Sequence, residues 1–85
     1  MNLNFSQRAL QSYKRLPLTI QKKADKQFNL LLTNYRHPSL RTSKMSGVGY
    51  FEARIDIHYR FTFLVEGDEI YIMTVGPHDK GLGKK

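Results

Sequence analysis

The spacing of apolar residues along these 85 residues changes once, from a helical period to strict alternation. In the first half, Ala9, Leu10, Tyr13 and Leu16 follow Ser6, a natural helix N-cap, at the spacing of one helix face. Pro17 suits a first turn and not an interior, so it ends this helix or opens the next. From Ile20, residues Ala24, Phe28, Leu31, Leu32 and Tyr35 make a second stripe of period 3.6. Lys22, Lys23 and Lys26 fall mostly off that stripe and are expected to face water. Helices joined this briefly form an antiparallel hairpin, and the His37-Pro38 step ends the second.

Beyond a polar loop from Ser39 to Gly49 the period is two. Along Tyr50 to Ile57, one face carries Phe51, Ala53, Ile55 and Ile57, the other Tyr50, Glu52, Arg54 and Asp56. Tyr59 to Val65 reads as a second strand, with Tyr59, Phe61, Phe63 and Val65 opposed to Arg60, Thr62 and Leu64. Glu66-Gly67-Asp68-Glu69 is a turn, and Ile70 to Val75 a third strand. Leu3 and Phe5 alternate with Asn2 and Asn4, which gives a short N-terminal strand. The expected class is α+β. A helical hairpin packs on a small antiparallel sheet (short N-terminal strand plus three-stranded meander), as one domain over residues 1–85.

Charge narrows the partners. The net charge of +7 is uneven. Met1 to Met45 carries nine lysines and arginines against Asp25 alone, whereas Ser46 to Lys85 carries five against six acids. A one-sided basic field attracts polyanions: nucleic acid, an acidic protein segment or an anionic membrane. The absence of cysteine excludes disulfides and thiolate metal sites, and His37, His58 and His78 have no compact ligand spacing. Met1 to Phe5 does not read as a signal peptide, and no apolar run approaches the ~20 residues of a membrane span. A cytoplasmic protein without cofactor or metal is expected.

The candidate chemistry lies on the first hairpin. A turn at Asp56-Ile57-His58 pairs Ile55 with Tyr59 and sets Arg54 opposite Arg60 on one face. Like charges so placed repel, so either Glu52 and Asp56 neutralise them or an anion uses them. Guanidinium, planar and permanently charged, suits a phosphate. Pairing Glu66 with Glu69 brings Ile57 level with His78, near the same edge, and histidine is the side chain best suited to proton transfer near neutrality. Tyr50, Tyr59 and Tyr71 offer faces on which bases stack, or else serve the sheet itself.

Taken in order, the two helices, the basic loop, Tyr50-Phe51-Glu52-Ala53-Arg54-Ile55, Tyr59-Arg60-Phe61 and Gly76-Pro77-His78-Asp79 resemble the RelE/ParE superfamily of bacterial type II toxins. His37-Pro38-Ser39-Leu40-Arg41, leading to Lys44-Met45 and Gly47, resembles the segment before that family's central strands. The resemblance implies a microbial RNase-like fold. It also implies a ribosome-dependent mRNA interferase that cuts messenger RNA in the ribosomal A site, blocking translation, without a metal. Arg60 would then stabilise transition-state charge, Arg54 position the phosphate, and His78 protonate the leaving 5′-oxygen. The general base stays open, with Glu52 the carboxylate on the right face. Arg41, Lys44 and Tyr50 complete the expected substrate-binding set. The implied partners are the ribosome, mRNA and a cognate acidic antitoxin, in a higher-order complex. The alternative within the family is a ParE-like, non-catalytic inhibitor of DNA gyrase.

Overall fold

The computed structural model describes residues 1–45 and 49–77. Strand β1 (Asn2–Phe5) leads into helix α1 (Gln7–Lys14) and helix α2 (Leu18–Thr33). A single 3₁₀ turn (Pro38–Leu40) follows, then strands β2 (Ser43–Lys44), β3 (Phe51–Arg54), β4 (Tyr59–Glu66) and β5 (Glu69–Pro77). The strand order is β1-β5-β4-β3-β2. No helix among the described residues is long and apolar enough to cross a membrane.

Local signals in the chain account for the helices. Ser6 caps α1, its Oγ accepting from the Ala9 N–H at 3.0 Å. Pro17 opens α2, and its carbonyl accepts from the N–H groups of Ile20 and Gln21. The stripe of α2 is buried as expected at Ala24, Phe28 and Leu31, while Lys22, Lys23 and Lys26 are exposed. Phe28 is the aromatic hub of the core. Its ring meets Phe61 edge-on at 5.0 Å and Phe5 at 5.3 Å. Tyr13 Oη donates to Asp25 Oδ1 at 2.6 Å, joining the two helices; this bond, with some burial and the charge of Asp25, holds the Tyr13 phenol above its usual pKa.

The sheet differs from the expectation in four ways. It is mixed, because β1 pairs with β5 in parallel, Leu3 beside Ile70 and Phe5 beside Ile72. Alternation in a four-residue strand carries no information about which neighbour it joins or in which direction. The polar loop contains a further short strand, β2, whose Lys44 pairs with Phe51. Strand β3 ends at Arg54, so Ile57 lies in the turn and is 69% exposed rather than part of the apolar face. Finally, β5 runs longer than expected and contains a bulge.

That bulge sets the register at the site. Glu66 pairs with Glu69 and Phe63 with Ile72, but Thr62 then pairs with Thr74, leaving Met73 as the extra residue. The insertion is why Ile72 and Val75, three positions apart, both point into the core. It also puts Gly76 opposite Arg60, one residue beyond the uninterrupted register that sets Ile57 level with His78. Ser6 locks the same place: its hydroxyl donates to the Met73 carbonyl at 2.9 Å, and its N–H to that of Ile72. Thus the cap of α1 and the bulge of β5 are one joint, which seats α1 along the second half of β5.

Candidate active site

The first hairpin closes as the alternation predicts. Arg54 pairs with Arg60, and Ile55 donates to the Tyr59 carbonyl at 2.9 Å just beyond them. That bond makes Arg54–Arg60 a non-hydrogen-bonded pair, the kind in which facing side chains come closest. Next to it lies the row Glu52–Thr62–Thr74, whose two threonine hydroxyls are 2.7 Å apart. Two ladder rows therefore carry two guanidinium groups and one carboxylate on the face turned away from the core.

The acids do not neutralise the arginines. Asp56 instead turns into the hairpin, its Oδ1 accepting from the N–H groups of His58 and Tyr59 at 2.8 and 2.9 Å. Its Oδ2 lies 3.5 Å from Lys23 Nζ, the one ion pair among the described residues. Burial alone pushes this carboxyl up, but the two backbone N–H groups and Lys23 together hold it below its usual pKa. Arg60 folds over the turn, Nη1 donating to the carbonyls of Asp56 at 2.8 Å and Tyr59 at 3.3 Å. Arg54 keeps a buried Nε with no hydrogen-bond partner among the described residues. Of the two ways to tolerate facing arginines, neutralisation by Glu52 and Asp56 is not the one adopted.

Strand β3 is held at this point by a residue that the apolar pattern does not single out. Gln27 on α2 is 8% exposed, the buried polar side chain of the core. Its Nε2 donates to the Arg54 carbonyl at 2.8 Å and the Ser39 carbonyl at 3.3 Å. In a non-hydrogen-bonded pair, the backbone groups of Arg54 point away from β4, and β2 is too short to meet them. Gln27 supplies the missing donor. Its position beside Phe28 on the buried stripe is the only sequence signal for this role.

Beside these rows lies an open cleft lined by Arg8, Ser12, Met45, Glu52, Arg60, Thr62, Thr74 and Gly76, with Phe61, Val75 and Pro77; Arg54 is not among its lining residues. Gly76, opposite Arg60, puts no side chain on the floor: a Cβ there would meet nothing within 4 Å among the described residues. Arg41 and Lys44 line a different groove, with Tyr35, Arg36, His37 and Phe51. Arg41 caps the 3₁₀ turn in the left-handed conformation (φ 50°), and the Arg36 guanidinium sits 5.7 Å from the Tyr35 ring. Tyr50, just before β3, accepts from the Met45 N–H through its carbonyl at 2.9 Å and is half-buried. Of the expected binding set, Arg41 and Lys44 therefore share a groove separate from the cleft of Arg60 and Glu52, and Tyr50 lines neither. His78 and Asp79 lie outside the described residues.

No protein-family model matches the sequence, and no curated protein does either. Solved structures are more informative. A chain of the RelB–RelE antitoxin–toxin complex from Methanococcus jannaschii matches with a TM-score of 0.78 over 96% of this chain and 98% of that one, at 19% identity. The YoeB/ParE toxin from Agrobacterium tumefaciens matches at 0.74, over 92% and 99%, at 19% identity. This chain has the RelE-like toxin fold. The YoeB dimer from Staphylococcus aureus shares it at 0.72, over 92% and 97%, at 23% identity. Within this fold the arginine hairpin occupies the open face of the sheet, and α1 forms one wall of the cleft above it. Arg8, on that wall, is absent from the expected site because nothing local in the sequence links residue 8 to residue 60.

Proposed function

We propose that this chain is a toxin of the RelE type, a metal-independent endoribonuclease that cuts messenger RNA in the ribosomal A site. The observation that carries the reading is the Arg54–Arg60 pair: two arginines facing each other across the ladder, neither ion-paired among the described residues, with Arg60 lining an open cleft beside Glu52. The turn carbonyls that Arg60 meets leave both charges without a counter-ion among the described residues, whereas a phosphodiester gains two cationic donors and a nearby base.

In this mechanism the substrate's own 2′-hydroxyl attacks the adjacent phosphorus, and the bond from phosphorus to the 5′-oxygen breaks. The products are a 2′,3′-cyclic phosphate and a free 5′-hydroxyl. Because the nucleophile belongs to the substrate, proximity is already supplied, and the protein orients, moves protons and stabilises charge. Glu52 accepts the 2′-hydroxyl proton. Arg60 stabilises the charge on the phosphorane and Arg54 positions the phosphate. His78 gives a proton to the departing oxygen. Arg41, Lys44 and Tyr50 bind RNA farther along.

An acidic antitoxin is the proposed partner, in a complex of higher order. The RelB–RelE complex from Methanococcus jannaschii and the YoeB–YefM complex from Staphylococcus aureus, both of this fold, support it. So does the uneven basic charge.

The test maps 5′ ends on a defined mRNA programmed on ribosomes and incubated with purified protein, beside Arg60→Ala. Cuts within the A-site codon that need both the ribosome and Arg60 are expected. Intact RNA from a protein that still arrests growth would discard the nuclease and turn attention to gyrase.

A further inference from the structure

Arg8 is a cation that folding does not ask for. It sits in the first turn of α1, where the helix dipole disfavours positive charge, and that turn has no acid. It is exposed and makes no ion pair among the described residues. Its neighbour Ala9 is fully buried and fixes the rotation of the helix, so Arg8 turns toward the cleft together with Ser12, one turn on. Hydrogen bonds to the sheet fix this orientation. Ser6 ties the helix to the Met73 carbonyl at the bulge, and the same bulge brings Gly76 opposite Arg60. Arg8 and Arg60 therefore face one cleft, with the side-chain-free floor at Gly76 and the carboxylate of Glu52 within it.

We propose that Arg8 forms a second phosphate subsite of the cleft, gripping the RNA backbone one phosphate away from the one held by Arg60. This rests on the reading of the cleft as an RNA site. The ligand class follows from that reading: a single-stranded polyribonucleotide, whose successive phosphates the two guanidinium groups hold. The stripe continues beyond the first cleft. Arg15, the C-cap of α1 one turn beyond Ser12, lines an adjoining groove with Ser12, Gly76 and Pro77, so a bound strand leaves the cleft along a second cation.

The test uses a short single-stranded RNA with 2′-O-methyl sugars, which binds but cannot be cut. Its affinity is measured across a series of salt concentrations for the intact chain and for Arg8→Ala, Arg8→Lys, Arg60→Ala and Lys22→Ala. Losing one phosphate contact lowers the slope of log affinity against log salt by about 0.7 for a single strand. Arg8→Ala and Arg60→Ala are each expected to show that drop with weaker binding. Arg8→Lys keeps the slope, and Lys22→Ala, on the exposed face of α2, changes neither quantity. A drop for Arg60→Ala with none for Arg8→Ala would overturn the second subsite and spare the cleft. Equal losses for Lys22→Ala and Arg8→Ala would reduce Arg8 to a member of the general basic field. No binding by the intact chain, or an unchanged slope for Arg60→Ala, would overturn the reading of the cleft itself.

Discussion

Arg54 and Arg60 face each other across the β3–β4 ladder with no carboxylate bonded to either among the described residues. A pair of this kind opposes folding, since like charges directly across an antiparallel ladder are destabilising by about 0.2–1 kcal/mol. Arg54→Met, which keeps the aliphatic stem and removes both the charge and the unpartnered Nε, is expected to raise stability by about that amount. The same variant is expected to lose growth inhibition. Urea unfolding and a growth assay read the two effects separately. A less stable variant would show that Arg54 finds a stabilising partner in solution.

Gln27 is the positioning residue behind this pair. Gln27→Leu keeps the approximate volume but leaves the carbonyls of Arg54 and Ser39 without their donor. A buried acceptor so stranded costs about 1–3 kcal/mol, and these are partly buried, so the low end of that range applies. Loss of stability in that range, with RNA cleavage slowed more than RNA binding is weakened, is the expected outcome. Unfolding midpoints and the separation of kcat from KM decide it. An equally stable variant would mean that water takes over both carbonyls.

Asp56 makes stability depend on acid. Its pKa is lower in the folded chain than in the unfolded one, so the folded state favours the carboxylate. That contribution is fully present above the ordinary aspartate range, near pH 4, and is lost as pH falls through the lowered value. Asp56→Asn can still accept from the His58 and Tyr59 N–H groups, and so removes only the charge. The stability gap between the two chains is expected to stay constant above about pH 5 and to close in stronger acid. A gap that persists at the lowest pH would assign the effect to the turn rather than the charge.

His78, as the proposed acid, gives a kinetic prediction. His78→Ala is expected to slow cleavage by roughly 10²–10⁴-fold while the cut sites stay the same. Single-turnover cleavage on programmed ribosomes measures this directly. An unchanged rate would hand the leaving-group proton to water or to another side chain.

Local pattern alone made much of this molecule legible. The caps at Ser6 and Pro17, the buried stripe of α2 and the alternation through Phe51, Ala53 and Ile55 each depend on residues within a turn or two of one another. The Arg54–Arg60 pairing belongs with them, because a short hairpin sets its own register. Tertiary structure decided what joins distant segments. β1 lies parallel to β5, Ser6 meets the bulge at Met73, Gln27 reaches the end of β3, and Arg8 lines the same cleft as Arg60. Arg41 and Lys44 share the loop before β3 in sequence with Met45, yet they fall into a separate groove. The physical reason is common to all of these. Periodicity reports which face of an element is buried, but the partner of that face depends on packing and on backbone groups left unpaired elsewhere. A carbonyl stranded at Arg54 and an extra residue at Met73 become visible only when the strands are assembled.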